Sequence, residues 1–420
     1  MEQTKLIRWL RLILGGIILL FAGIIYAWSI INTPFRQIES VIVDGVEKQV
    51  VINATQLGLN YTLTIIFFCL GGLSSGLLSK KTSTTLRLIT SAVLLFSGFF
   101  ISSNLVSHIS EGGSFIPLYL SYGVLAGLGI GVAYNTVIGA TNAWFPDKQG
   151  VSSGILMAGF GLSSLILGRI ADTMGKSVTF GWEKTYVSLA ISISVILLAA
   201  AFLVKPPPVG TVFPKPKKEK KTAGAGAVKD YSVIEMLKRP SFYLIFVYCT
   251  LLAASGSAAI GFARDIMTDV GATGNFALTM VGILAVFNGL GRLTCGWLFD
   301  NLEIRKTQLI SSIISILAPL TVVLGLMTRS VTISLIGVCL CGVSFGFAPT
   351  TLSVFAAKFY GPKNFSLNFS MLNLILIPAP FAATLAGTVK DATGEFFLAF
   401  VILTALTVIG FFVNLGIRKP

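Results

Sequence analysis

The sequence predicts an all-α membrane protein whose twelve transmembrane helices form two six-helix halves. Hydrophobic residues make up 54% of the chain and charged residues only 11%, whereas a soluble domain is nearer a quarter charged. Apolar stretches of about twenty residues recur along the chain, which is the length a helix needs to cross the hydrocarbon layer. A long polar segment divides these stretches into six and six.

Each half of the chain contains six predicted spans: residues 1–205 form the N-terminal half and residues 241–420 the C-terminal half. Residues 206–240 include the runs PPPVG, KPKKEKK and GAGA, whose composition cannot build a hydrophobic core. We therefore predict a flexible cytoplasmic linker there. The predicted spans are 12–33, 55–79, 86–106, 115–142, 150–173, 185–205, 241–263, 275–299, 308–327, 331–356, 365–388 and 396–416.

Basic residues are concentrated on one side of the predicted bundle. If the N-terminus is cytoplasmic, the inside loops hold 22 of the 31 Lys and Arg residues and the outside loops hold seven. Because basic loops stay on the cytoplasmic side, we predict a multi-pass protein of the cytoplasmic (inner) membrane with both termini cytoplasmic. The same rule explains the net charge of +14 without a nucleic-acid partner.

Residue types that support catalysis or metal binding are scarce in the predicted spans. The five cysteines fall within apolar stretches and lack metal-site or disulfide spacing, so we interpret them as packing residues. A single histidine cannot make a metal site, and the sequence contains no phosphate-binding loop motif. We predict no enzyme activity, no metal and no cofactor.

Glycines follow a regular spacing in the fourth predicted span. Gly123, Gly127 and Gly131 lie four residues apart within GVLAGLGIGVAYN. Small residues at this spacing let membrane helices approach closely, which predicts a tightly packed helix at this position. A smooth face that allows the two halves to rock is the functional alternative.

Arg292 is the basic residue that stands out inside the spans. It lies in VFNGLGRLTCGWLFD, about eight residues before the end of span 8 and so ~12 Å inside the membrane. An ionisable residue at this depth indicates function, and a guanidinium holds a carboxylate by two parallel hydrogen bonds. We therefore predict that Arg292 anchors an organic anion; a pair with a carboxylate on another helix is the structural alternative. Asn288, one turn earlier, would place an amide beside it.

Several motifs resemble a known family. The segment GWLFDNLEIRK is similar to the loop motif G-x-L-x-D-x-x-x-R-[KR] of the major facilitator superfamily. Gly296, Asp300 and Arg305 fall on its glycine, aspartate and [KR] positions, and Ile304 stands where the motif has arginine. Within that superfamily, GIIYAWSIINTPF, YGVLAGLGIGVAYN and KFYGPKNFSLNFSMLN resemble the oxalate:formate antiporter family, which is akin to the monocarboxylate transporters. The resemblance covers nearly the whole chain apart from the linker.

The resemblance implies the major facilitator fold and a substrate site at its centre. It matches the family's carboxylate-binding arginine to Arg292 and implies aromatic residues that line a cavity. The predicted site residues are Arg292, Asn288, Tyr26, Trp28, Tyr134 and Asn373. The sequence departs from the oxalate carriers in helix 11, where they have a second cation and this chain has Leu376.

These observations predict a secondary transporter that works by alternating access, as a proton symporter or an anion exchanger. Because one central cation suits a monoanion, we expect a monocarboxylate such as lactate, pyruvate or formate. An antiporter of oxalate or another dicarboxylate and a multidrug exporter of the same fold are the alternatives. The expected partners are the small carboxylate, protons in the symport case and the lipid bilayer, and we expect the protein to function as a monomer.

Overall fold

In the part of the chain that the structure describes, twelve helices are long and apolar enough to cross a membrane, which confirms the predicted fold class. The computed structural model describes residues 2–36, 41–43, 46–48, 54–79, 81–110, 114–145, 149–208, 211, 229–361 and 364–420. The candidate spans are Leu6–Phe35, Ala54–Leu78, Thr84–Ile109, Ile116–Asn142, Ile155–Gly175, Gly181–Leu203, Pro240–Asp269, Gly274–Phe299, Ile304–Met327, Val331–Ala356, Met371–Thr393 and Phe397–Gly416.

The helical elements of the first six spans include short irregular segments. A 3-10 turn, Gly23–Ala27, follows α1, and a π-helical segment, Tyr119–Ala126, lies between α6 and α7. The helices are α1 Glu2–Ala22, α2 Trp28–Ile31, α3 Thr33–Arg36, α4 Ala54–Leu78, α5 Thr84–Ser110, α6 Ile116–Leu118, α7 Gly127–Asn142, α8 Gln149–Gly175 and α9 Gly181–Leu203.

The second half is interrupted in its eleventh span. A 3-10 turn, Leu374–Leu376, and the prolines at 378 and 380 separate α15 from α16, since proline cannot continue the helical hydrogen-bond ladder. The helices are α10 Val233–Leu237, α11 Pro240–Asp269, α12 Gly274–Asn301, α13 Ile304–Met327, α14 Val331–Lys358, α15 Phe365–Asn373, α16 Phe381–Thr393 and α17 Phe397–Gly416.

A short hairpin is the exception to the helical architecture in the part of the chain that the structure describes. Strand β1, Val41–Val43, pairs antiparallel with β2, Val46–Lys48, between the first and second spans. We call the end of the bundle near this hairpin the hairpin side. The other end, where an even number of spans brings both chain termini, is the terminal side.

The predicted linker differs from expectation at its C-terminal end, where α10 forms. Ser232 Oγ accepts a hydrogen bond from the Glu235 amide, and the Glu235 carboxylate accepts one from the Ser232 amide at 2.7 Å. This reciprocal cap stabilises the first helical turn. The backbone hydrogen bond from Ser232 holds the pKa of the Glu235 carboxyl below its usual value. Residues 209–210 and 212–228 of the linker lie outside the described residues.

The glycines of the fourth span pack against α4, as their spacing predicts. A Cβ on Gly131 would collide with the carbonyl oxygen of Phe68, and one on Gly127 would lie 2.7 Å from that of Thr64. The two backbones therefore approach closely. This contact fixes the face of α7 that carries Tyr134 beside the face of α4 that carries Phe68.

Candidate substrate cavity

A cavity of about 100 Å³ lies between the two halves, toward the terminal side of the bundle. It has room for several water molecules or a small anion. Pro380 contributes to its wall and also accepts a hydrogen bond from Thr62 Oγ1, at 2.8 Å, on the hairpin side. The lining residues are Tyr26, Ile65, Phe68, Cys69, Gly72, Leu73, Tyr134, Asn135, Ile138, Met157, Phe160, Arg292, Phe345, Pro349, Phe369, Asn373, Leu374, Leu376 and Pro380.

Arg292 is the charged residue among the described residues that line this cavity. Its Nη2 donates to the Tyr26 hydroxyl at 3.1 Å, and the Tyr134 hydroxyl also interacts with the guanidinium. Its Nε is buried and has no hydrogen-bond partner in the described part of the chain. The groups around this cation are therefore neutral hydroxyls, so its charge remains available to an anionic ligand.

Four aromatic rings of the first half pack together opposite Arg292. The centroid of Phe160 lies 5.2 Å from that of Tyr26 and 4.9 Å from that of Tyr134, and Phe68 lies 5.3 Å from Tyr134. The mostly edge-to-face packing fixes the ring positions. Both tyrosine hydroxyls lie beside the guanidinium, and each can donate a hydrogen bond to a ligand oxygen in the cavity.

Two amides add polar groups to the wall, one from each half. Asn373, at the end of α15, has a buried Oδ1 without a hydrogen-bond partner among the described residues. Asn135, next to Tyr134 on α7, is exposed to the cavity. Leu376 also lines the wall, so the position that departs from the oxalate carriers faces the cavity with an apolar side chain.

A sequence model of the Major Facilitator Superfamily matches residues 16–384, most of the chain. The chain belongs to the major facilitator superfamily. A bacterial homologue of the human lysosomal transporter Spinster, solved in an inward-facing and unoccupied conformation, superposes with a TM-score of 0.67 at 15% identity over 99% of each chain. That likeness supports the fold alone.

The curated relatives are similar to this chain at low identity. The uncharacterized MFS-type transporter YhjX of Escherichia coli (strain K12) is 26% identical over 87% of this chain and 84% of that protein. The oxalate:formate antiporter of Oxalobacter formigenes is 23% identical over 85% of this chain and 80% of that protein. Monocarboxylate transporter 12 of Xenopus laevis is 22% identical over 78% and 73%.

Two of the predicted site residues, Asn288 and Trp28, are not part of the cavity wall. Asn288 is 1% exposed and packs against α14, where Gly342 and Gly346 leave no space for a Cβ beside its backbone. Trp28 is also 1% exposed, donates from Nε1 to the carbonyl of Leu57 at 3.1 Å, and stacks at a tilt on Tyr122. In this conformation Asn288 supports the backbone near Arg292, and Trp28 joins the first and second spans.

The superfamily loop motif lies at the terminal side of the C-terminal half. Arg305 donates to the carbonyls of Asn414 and Leu415, at 2.8 and 3.0 Å, and so caps the last turn of α17. A Cβ added to Gly296 on α12 would lie at ordinary contact distance from the Thr350 side chain. Asp300 lies in the last turn of α12, and its side chain is outside the described residues.

Most of the residues that line the cavity were absent from the predicted set. Phe68, Phe160, Asn135 and Leu374 line the wall, but aromatic and aliphatic residues are common in every span. Which face of a helix they occupy depends on the packing of neighbouring helices. For Asn135 the sequence did contain a signal, namely an amide side chain inside an apolar span, because polar groups in a membrane helix need a partner.

Proposed function

We propose that this member of the major facilitator superfamily transports a small monocarboxylate by alternating access. The observation that carries the proposal is the environment of Arg292, a cavity-lining cation whose described neighbours are hydroxyls rather than carboxylates. A guanidinium in a site of low dielectric binds an anion more strongly than it would in water, and its fork fits a carboxylate.

The donors around Arg292 favour the same class of substrate. The Arg292 guanidinium lines the cavity, and the hydroxyls of Tyr26 and Tyr134 lie beside it, so their hydrogen-bond donors are close to one point. A carboxylate has only acceptors, so its two oxygens match this set. The rings of Phe68 and Phe160 provide an apolar surface for a short aliphatic part of the substrate.

A single charge at the wall favours a monoanion over a dianion. The residue that lines the wall one turn beyond Asn373 is Leu376, which cannot neutralise a second carboxylate. Binding a dianion would leave one charge uncompensated in a mostly apolar cavity, which is unfavourable. The oxalate:formate antiporter and the monocarboxylate transporters among the relatives support a carboxylate substrate in general.

The charge on Arg292 also bears on coupling. An empty cavity that closed around this cation would bury a charge without a counter-ion, whereas a bound carboxylate neutralises it. Conversion of the loaded protein is therefore easier than conversion of the empty one. This difference fits anion exchange. In proton symport the protein must also return without its substrate, and the charge of Arg292 would then need another form of compensation.

The orientation belongs to the same proposal. The excess of basic residues in the loops of the terminal side supports a cytoplasmic location for both termini and the linker. With that orientation, the cavity lies on the cytoplasmic side of the seal between Thr62 and Pro380. The cytoplasmic (inner) membrane is the location that we propose on the same basis.

A multidrug exporter of the same fold is the second candidate. The aromatic wall and the pockets of apolar surface would suit a hydrophobic drug. The described lining residues include no acidic side chain that would attract a cationic one, which favours the anion.

The decisive experiment is a thermal-shift series on the purified full chain. The probes are formate, acetate, lactate, pyruvate, oxalate and succinate, each tested beside a neutral analogue such as lactamide for lactate. A ligand that binds only the folded protein raises Tm with concentration. We expect monocarboxylates to raise Tm and their amides to leave it unchanged. Stabilisation by a cationic drug, with no response to any carboxylate, would overturn the proposal.

A further inference from the structure

The closed seam between α4 and α16 on the hairpin side is built from small residues. A Cβ on Gly58 would lie 2.8 Å from the carbonyl oxygen of Ala383, and one on Gly387 would lie 2.5 Å from that of Ala54. The two backbones therefore touch where these glycines face the other half. Such close packing gives this seam a defined closed state.

Polar contacts cross the same seam at successive turns. Thr62 Oγ1 donates to the Pro380 carbonyl at 2.8 Å and lies 2.8 Å from the Thr384 hydroxyl. Nearer the hairpin side, the Thr55 hydroxyl of α4 lies 3.4 Å from the Thr388 hydroxyl of α16. The seam is thus held by bonds that break when the two halves separate.

Asp391 makes the strongest of these contacts. Its Oδ1 accepts from the Ala54 amide at 2.8 Å, and its Oδ2 accepts from the Thr55 amide at 2.8 Å and from the Thr55 hydroxyl at 2.5 Å. The first amides of a helix have no partner within the helix, and the positive end of its dipole attracts a carboxylate. A residue of the C-terminal half therefore caps a helix of the N-terminal half.

The neighbouring lysine does not compete for this carboxylate. Lys390 Nζ pairs with Asp269 at 2.5 Å, within the C-terminal half, and lies over the ring of Phe396. This pair leaves Asp391 directed across the seam. The charge-assisted bonds to α4 are consequently specific to the state in which the hairpin side is closed.

We propose that Asp391 is the latch of the hairpin-side gate: it caps α4 across the seam, and its release is a step in opening the cavity to that side. This proposal rests on the alternating access of the proposed function, but it requires no particular substrate. In the open state the amides of Ala54 and Thr55 and the carboxylate are each hydrated. The latch therefore sets the ratio of closed to open protein.

The test measures the separation of the two halves directly, in substrate-free protein. Spin labels are attached to cysteines introduced at Val178 and Thr328, exposed residues at the hairpin side of opposite halves. Cys69, which lines the cavity, is replaced by alanine in every labelled protein, and the other four native cysteines are buried and stay in place. Double electron–electron resonance then reports the short, closed distance and the long, open one. We expect Asp391→Ala to raise the open-to-closed ratio about fivefold, which corresponds to the loss of one helix cap.

Two further variants make the result decisive. Asp391→Asn keeps one acceptor oxygen and should raise the ratio less than alanine does. Glu395→Gln removes a carboxylate of the same helix end that is 65% exposed and pairs with Arg329 at 3.7 Å within its own half, so it should leave the ratio unchanged. An unchanged ratio in folded Asp391→Ala protein, or an equal increase in the Glu395→Gln protein, would overturn the proposal. Because no substrate is present, failure here is separate from failure of the carboxylate proposal.

Discussion

The two halves of the protein contribute different chemistry to the cavity. The N-terminal half supplies rings and hydroxyls, with Tyr26, Phe68, Tyr134 and Phe160 packed as one cluster. The C-terminal half supplies the charge of Arg292, together with the broken eleventh span. With a rigid aromatic surface on one side and a cation on the other, a ligand that contacts both, as proposed above, would link the two halves.

One hydrogen bond across the cavity already joins the two halves. The hydrogen bond from Arg292 to the Tyr26 hydroxyl, at 3.1 Å, joins the halves without neutralising the charge. A carboxylate that binds between them replaces a neutral acceptor by an anionic one, and hydrogen bonds to charged groups are about twice as strong. The asymmetry predicts that changes in the C-terminal half affect affinity most.

The largest effect is expected at Arg292. Arg292→Ala removes the charge, and Arg292→Lys keeps the charge but removes the planar fork. If the carboxylate is held by two parallel hydrogen bonds, both variants should lose about 100-fold or more in affinity for the best monocarboxylate, since each bond to a charged group contributes about 1.5–3 kcal/mol. Equilibrium binding on purified protein measures this loss.

The control for charge is Lys306→Ala, which removes a cation of the same half. Lys306 is 64% exposed and pairs with Glu303 at 3.8 Å, far from the cavity. We expect it to bind the substrate like the unmodified protein. Normal affinity in well-folded Arg292→Ala protein would contradict the role of Arg292 as the substrate anchor. Near-normal affinity in the Arg292→Lys protein would show that positive charge alone, without two parallel hydrogen bonds, is enough for binding.

A smaller effect is expected from a second cation in the C-terminal half. Leu376→Lys places an ammonium at the cavity wall one turn from Asn373. We expect affinity for oxalate relative to lactate to rise about tenfold, since one additional charged hydrogen bond contributes about 1.5 kcal/mol. Competition binding measures the ratio, and Leu376→Met, similar in size but uncharged, should leave it unchanged. Tight binding of oxalate by the unmodified protein would contradict the monocarboxylate preference.

Sequence patterns predicted the twelve spans because about twenty consecutive apolar residues have few structural alternatives. They also drew attention to Arg292, since a charge at membrane depth is rare. Sequence patterns were less informative about the direction in which a side chain points from its helix. Trp28 belongs to the same motif as Tyr26, yet its indole turns to the Leu57 carbonyl because the 3-10 turn at Gly23–Ala27 changes the helix phase.

Longer-range features were harder to predict. Asn288 shares a helix face with Arg292, but glycines at 342 and 346 bring α14 against its backbone and bury it. Asp391 lies at the end of a span, where a carboxylate is ordinarily solvated. Its bonds to Ala54 and Thr55 join positions more than 330 residues apart, and nothing in the local sequence indicates that contact.

The smallest effect on affinity distinguishes two aromatic residues of the same motif. Tyr26→Phe removes the hydroxyl that contacts Arg292 and should weaken monocarboxylate binding about fivefold, the loss of about 1 kcal/mol for one hydrogen bond. Trp28→Phe removes the donor to Leu57 and leaves the cavity wall unchanged. It should keep the affinity but lower the free energy of unfolding by about 1–3 kcal/mol, because a buried carbonyl loses its partner and a ring is exchanged for a smaller one.

Binding and thermal stability measured on the same two proteins separate the roles. Tyr26→Phe should change the dissociation constant more than Tm, and Trp28→Phe should change Tm more than the dissociation constant. If Trp28→Phe weakens binding as much as Tyr26→Phe at unchanged stability, the indole reaches the substrate in another conformation of the protein, and the aromatic wall extends beyond the four packed rings. If neither variant affects binding, the rings of the N-terminal half only shape the cavity, and Arg292 supplies the affinity alone.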